Sequence, residues 1–181
     1  MAPDLSGAKP EPRGATREAT RSAIERYMEM LNAHDPEQIA ACVTDDFLNE
    51  HTSRRGRTLR GRAAYRDRLR TFLAEFEDLS YQVEDVVVDE DRAAVCYVMR
   101  ARWRIGAPAS TSDGSVQAEN GRPVALRGMF WFRVEGGLVA HRRDYWDGED
   151  FASQVAAAGD PDVSEATVAP GGPKAVGPDA A

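Results

Sequence analysis

The sequence predicts an α+β domain: a strongly curved antiparallel sheet wrapped around N-terminal helices. Three observations carry that prediction. Apolar residues recur at helical spacing early in the chain, as in Ile24, Tyr27, Met28 and Leu31. Long β-rich runs fill the second half. The last two of these runs, Val124 to Trp146, meet at Glu135-Gly136-Gly137, and Gly-Gly between β-rich runs signals a tight hairpin because the favoured turns need positive φ.

Taken in order, residues 1–17 are rich in Pro, Gly, Ala and charge without any period, and they read as a disordered tail. Ser22 to Ala33 reads as a helix. Asp35 caps the next, with Pro36 at its first position and Ile39, Cys42 and Val43 inward. Phe47 to Thr52 reads as a short strand and Ser53 to Arg62 as a polar loop. A third helix, Arg62 to Phe76, turns Tyr65, Leu69, Phe72, Leu73 and Phe76 inward. Strands follow at Leu79 to Val88 and Arg92 to Arg104, joined by a charged turn at Asp89-Glu90-Asp91. Ile105 to Arg122 is a polar insertion, the Val124 hairpin completes the sheet, and Phe151 to Val155 forms a last helical turn. Residues 157–181 lack the apolar surface to offset ordering and read as a second tail, which leaves 18–156 as the working domain.

Composition excludes several function classes. A net charge of -7 argues against a nucleic-acid partner, since phosphate binding needs a basic field. Cys42 and Cys96 sit inside helix and strand patterns and read as small buried hydrophobes. The three histidines are scattered, and no Gly-rich phosphate loop or Ser-His-Asp order appears, so neither a metal nor a cofactor is expected. No apolar run is long enough to span a bilayer and the N-terminus has no signal-peptide core, so the expected location is the cytoplasm, without a membrane partner.

The candidate chemistry lies on the concave side of the sheet. Strand alternation puts Leu138, Ala140, Arg142, Asp144 and Trp146 on one face of the last strand. Asp144 then reads either as a pocket carboxylate or as the ion-pair partner of Arg100 or Arg142; held by an arginine, it would stay ionised with a lowered pKa. His51 titrates near neutrality and suits proton transfer, the alternative being an ordinary rim histidine. Tyr27 reads as core or as a pocket donor. Trp103, Trp131 and Trp146 offer large apolar walls for a flat ligand, beside Arg100 and Arg142. His141 points to the outer face, and Asp147 caps the terminal turn. Arg54, Arg55, Arg57, Arg60, Arg62, Arg66, Arg68 and Arg70 crowd one loop and helix. They read as a guide for an anionic substrate or as a solvated face offset by nearby acids.

Three stretches carry a resemblance: Ile24 to Phe47, Gly56 to Leu69, and Val134 to Phe151. Together they resemble the nuclear transport factor 2-like superfamily, in its SnoaL-like polyketide cyclase, ketosteroid isomerase and limonene-epoxide hydrolase branches. The resemblance implies a cone-shaped sheet of the cystatin-like kind, a closed-ended hydrophobic pocket, no cofactor, a small hydrophobic substrate and a homodimer through the outer sheet face. It places Tyr27 where ketosteroid isomerases carry an oxyanion donor and His51 where they carry the basic Asp. Their second donor falls on Gly128, which cannot supply it. Asp144 matches the last acid of the Asp-Arg-Asp set of limonene-epoxide hydrolases, whose other members fall near Val98 and Arg100. Asp144 and His51 together resemble the Asp and His of SnoaL-like cyclases. The expected activity is acid/base cyclisation or isomerisation of a carbonyl compound, with epoxide hydrolysis or non-catalytic binding as alternatives.

Overall fold

The computed structural model describes residues 16–104 and 121–157. Most of both expected tails and of the polar insertion lies outside them. Helix α1, Arg17–Ala33, starts a full turn before the expected Ser22, because the Thr16 side chain accepts from the Ala19 amide and caps it. His34 ends it in the left-handed conformation, φ 60°. Helix α2, Pro36–Ala41, is capped as expected by Asp35, which accepts from the Glu37 and Gln38 amides. Strand β1, Val43–His51, is longer than the sequence suggested and takes over Val43 from the helix. A two-residue strand β2, Leu59–Arg60, lies in the expected loop. Helix α3, Arg62–Ala74, is followed by β3, Phe76–Asp89, β4, Arg92–Trp103, β5, Arg122–Glu135, and β6, Leu138–Trp146. Helix α4, Gly148–Ala157, extends the expected terminal turn, and Asp147 caps it through the Glu149 and Asp150 amides.

The sheet order is β2-β1-β6-β5-β4-β3. Strands β3 to β6 form the expected antiparallel meander. The β5–β6 turn is Gly136-Gly137, with φ of 56° and 77°, values that cost a residue with a side chain. Strand β1 adds to β6 in parallel, which makes the sheet mixed. The concave face closes over one core: Ile24, Tyr27 and Leu31 of α1 with Tyr65 and Leu69 of α3, against Phe130 and Phe132 of β5. No helix among the described residues is long and apolar enough to cross a membrane.

One irregularity re-aims the last strand. The register passes from Val134↔Val139 to Arg133↔His141, which leaves Ala140 unpaired as a bulge. The simple alternation therefore fails at the turn. Val139, not Leu138, is buried on the side of Arg142.

Candidate active site

A cavity of about 320 Å³ opens between the concave face, α3 and the Ser53–Thr58 loop, near the lower end of the range for ligand sites. Phe72, Phe76, Met99, Trp103 and Leu126 give it apolar walls. Asp144 and His51 both line it. The parallel pairing brings them together: His51 stands in register with Asp144, and Asn49 with Arg142. In-register residues on neighbouring strands share a face. His51 Nδ1 lies 3.4 Å from Asp144 Oδ2. The Tyr97 hydroxyl donates to Asp144 Oδ1 at 2.7 Å. The Thr52 amide and hydroxyl, at 3.1 and 2.9 Å, both donate to the Asp144 carbonyl and clamp the end of β1 against β6.

The hydrogen-bond inventory assigns the imidazole. Arg142 Nε donates to Asn49 Oδ1 at 3.0 Å, which leaves the Asn49 amide nitrogen 3.3 Å from His51 Nε2. An amide nitrogen only donates, so Nε2 accepts and the ring proton sits on Nδ1, facing Asp144. The Trp146 indole N–H lies 3.5 Å from the same Nδ1, so on that side the imidazole meets both the indole and, at 3.4 Å, the carboxylate. Burial, with the charges of Arg142 and Arg68, pushes the His51 pKa down to about 3, so the ring is neutral near pH 7. Burial also pushes the Asp144 carboxyl above its ordinary range, against the smaller pulls of Arg142 and the Tyr97 bond. Of the two readings of Asp144, the arginine ion pair with its lowered pKa is not found among the described residues. Arg100 is exposed and bonds Gln82 Oε1 at 2.7 Å, while Arg142 bonds neutral oxygens.

Arg142 is a buried cation packed 4.7 Å above the Phe130 ring. Its Nη1 donates to the Tyr27 hydroxyl at 2.6 Å and reaches the Tyr65 hydroxyl at 3.4 Å. Nη2 has no partner among the described residues, so donor capacity remains on a residue that lines the cavity.

The other expected site residues divide. Trp103 and Trp146 line the cavity. Tyr27 does not: it is fully buried behind it, with its hydroxyl 2.5 Å from that of Tyr65. Trp131 lies on the opposite sheet face, edge-on to His141 and 4.9 Å beneath the Arg143 guanidinium. Val98 and Arg100 alternate away from the cavity, whereas Tyr97 and Met99 face it.

Sequence reasoning missed Asn49, Tyr65, Tyr81 and Tyr97. Tyr81 lines the cavity, and its hydroxyl has no hydrogen-bond partner among the described residues. Its backbone is bracketed by the Asn32 side chain, which accepts from the Tyr81 amide at 2.7 Å and donates to its carbonyl at 3.0 Å. Burial raises its pKa, so the phenol stays protonated. Tyr97 had a signal in Gly128. A Cβ there would lie 2.4 Å from the Tyr97 hydroxyl, so the glycine leaves the space through which Tyr97 reaches Asp144. Gly56 does the same for His51, whose Cβ would lie 2.3 Å from a Cβ at 56. Among the described residues no group of His, Cys, Asp or Glu is arranged to hold a metal ion.

Fold and site together define an α+β cone with a carboxylate–imidazole pair inside an apolar hollow. The chain belongs to the SnoaL-like domain family, whose model matches residues 24–142. No curated protein matches it in sequence. A provisionally named polyketide cyclase from Xanthomonas campestris is 22% identical, with a TM-score of 0.59 over 77% of this chain and 98% of its own. A Catenulispora acidiphila protein with a ketosteroid isomerase-like fold, in complex with trimethylamine, is 15% identical, TM-score 0.60, over 74% and 92%. An epoxide hydrolase from M. tuberculosis, of the limonene-epoxide hydrolase-like kind, is 20% identical, TM-score 0.59, over 79% and 92%. At these identities the likeness is one of fold.

Proposed function

We propose that this protein is a cofactor-independent enzyme performing general acid/base chemistry on a small, largely apolar carbonyl compound, with aldol-type cyclisation or double-bond isomerisation as the outcome. The observation that carries the reading is the placement of Asp144 and His51 side by side in an apolar cavity. Asp144 is the proton-transfer group. Burial raises its proton affinity toward the working pH, where a base or acid is most effective. His51 is a positioning residue: its Nε2 is engaged by Asn49, and its Nδ1 proton faces the carboxylate. Removing a proton beside a carbonyl develops negative charge on the oxygen. The Tyr81 hydroxyl and Arg142 Nη2, unpartnered among the described residues, are donors for it, and preorganised donors in a dry site contribute the largest share of many rate enhancements.

Epoxide hydrolysis is the second reading, with Asp144 positioning water. The match of Asp144 to the last acid of the hydrolase set favours it, and the outward direction of Val98 and Arg100 weakens it. A panel of cyclic ketones and epoxides separates the two. Asp144→Asn should lower kcat/KM by about 10²–10⁴-fold and Tyr81→Phe by about 10²-fold, with circular dichroism unchanged. Unchanged turnover in both variants, or no turnover of any panel member by the wild type, removes the enzymatic reading in favour of a binding domain.

A further inference from the structure

The chain as a whole is acidic, at -7, yet its cavity is not. Four arginines line it, Arg55, Arg57, Arg68 and Arg142, against two carboxylates, Glu75 and Asp144. Arg68 and Glu75 cancel in a two-pronged pair at 3.1 and 3.3 Å. Asp144 is driven toward its neutral form by burial. What remains is positive. Arg57 has no ion-pair partner among the described residues. Arg55 has only Glu149 at 3.8 Å, with half of one side chain and most of the other exposed, a geometry worth almost nothing. Of the rest of the arginine run, Arg62 pairs with Asp45, Arg66 with Asp67 and Arg70 with Glu37, while Arg54 and Arg60 do not line the cavity.

Arg55 and Arg57 are both exposed at the rim of the cavity, on a loop whose backbone is fixed between two close contacts. They flank Gly56, the residue packed against the His51 side chain, and both line the cavity. Gly148 accepts the start of the same loop, where a Cβ would lie 2.5 Å from the Ser53 hydroxyl oxygen. Deeper in, Arg142 is a buried guanidinium whose partners are neutral oxygens and ring faces. Asp144 acts on it only through space, without a direct ion pair among the described residues, and a buried cation so incompletely balanced is relieved by an arriving anion. A low-dielectric hollow of one sign focuses its field on ligands of the other sign.

We infer that the cavity recognises an anion: its ligand is a small apolar carbonyl compound that also carries a carboxylate, held by Arg55 and Arg57 at the His51 end of the hollow. This rests on the reading of the cavity as a substrate site, and it names the class of compound that enters. A neutral ligand of the same shape binds the apolar walls alone.

The probes are 2-naphthoate and its neutral counterpart 2-acetylnaphthalene, titrated into the full chain by quenching of tryptophan fluorescence, since Trp103 and Trp146 line the cavity. The carboxylate should bind about tenfold more tightly than the ketone, as charge-assisted, forked guanidinium contacts would give. Arg55→Gln with Arg57→Gln should remove that preference and leave the affinity for the ketone within about twofold. Salt that brings the Debye length from about 30 Å to about 8 Å should weaken the carboxylate alone. Equal affinities in the wild type, or a preference that survives the double substitution, overturns the proposal. Asp144→Asn, titrated in parallel, keeps the two readings apart. Charge preference with no turnover in the wild type sinks the enzyme and leaves the anion site, and turnover without charge preference does the reverse.

Discussion

Asp144 concentrates the chemistry of this fold in one side chain, and the groups around it show why it sits at the edge of what the interior tolerates. It is buried, takes one strong hydrogen bond from Tyr97, and forms no ion pair with an arginine among the described residues. Gly128 is part of that arrangement, since any side chain there would push the Tyr97 hydroxyl away. The folded pKa of Asp144 is raised above its ordinary 3.8. The stability linked to its neutral form is therefore complete below the unfolded value and is lost as pH rises through the folded one. The charged form of the carboxylate destabilises the fold it serves, as functional groups often do. Asp144→Asn removes the charge and retains an oxygen for Tyr97. Its melting temperature should exceed that of the wild type near pH 7, and the gap should close near pH 3. A variant less stable than the wild type near pH 7 would mean that the carboxylate is stabilised where it stands.

The elements differ in how far their own sequences determine them. The Asp35-Pro36 cap and the Gly136-Gly137 turn were legible because each is settled by a few adjacent residues. The parallel seating of β1 on β6 was not. It pairs His51 with a residue in the last strand, and nothing local to either segment encodes the match. The Ala140 bulge was hidden for the same reason, since alternation read along one strand assumes unbroken register with its neighbour. Part of the site was consequently visible, namely Asp144, His51, Arg142, Trp103 and Trp146 as residue types, but not the roles of Asn49, Tyr81 and Tyr97, which depend on the assembled sheet. The Ser53–Thr58 loop offers a test at this scale. A Cβ at position 56 would meet His51 Cβ at 2.3 Å and Cγ at 2.6 Å, so Gly56→Ala must displace the ring or lift the loop. Its kcat should fall by at least about tenfold, since misplacement of about 1 Å can cost about a hundredfold. The unfolding midpoint in denaturant should move little, because the loop lies outside the central core. Full activity in this variant would show that the position of His51 is not critical.

At the scale of the molecule, the helix-then-strand order predicted the cone because a curved sheet must cover its concave face with the helices that precede it. The inferred sign of the cavity did not follow from the net charge of -7, and its hint in the sequence was the arginine run from Arg54 to Arg70, two of whose members line the loop side of the hollow. That hollow should leave a mark on global stability through His51. The folded pKa of its imidazole is depressed from 6.5 to about 3 by burial and by Arg142 and Arg68. Stability tied to the neutral ring is present above 6.5 and is lost as pH falls from there toward about 3, because the unfolded chain binds a proton that the folded one refuses. Replacing His51 by Gln abolishes that proton uptake. Asp144 titrates in both proteins and largely drops out of the comparison. Denaturant unfolding between about pH 7 and pH 4 should show the wild type losing stability relative to His51→Gln, with a limiting slope of about 1.4 kcal/mol per pH unit. Two parallel stability curves would place the imidazole in contact with solvent, and the neutral, positioned ring on which the acid/base proposal rests would be lost with it.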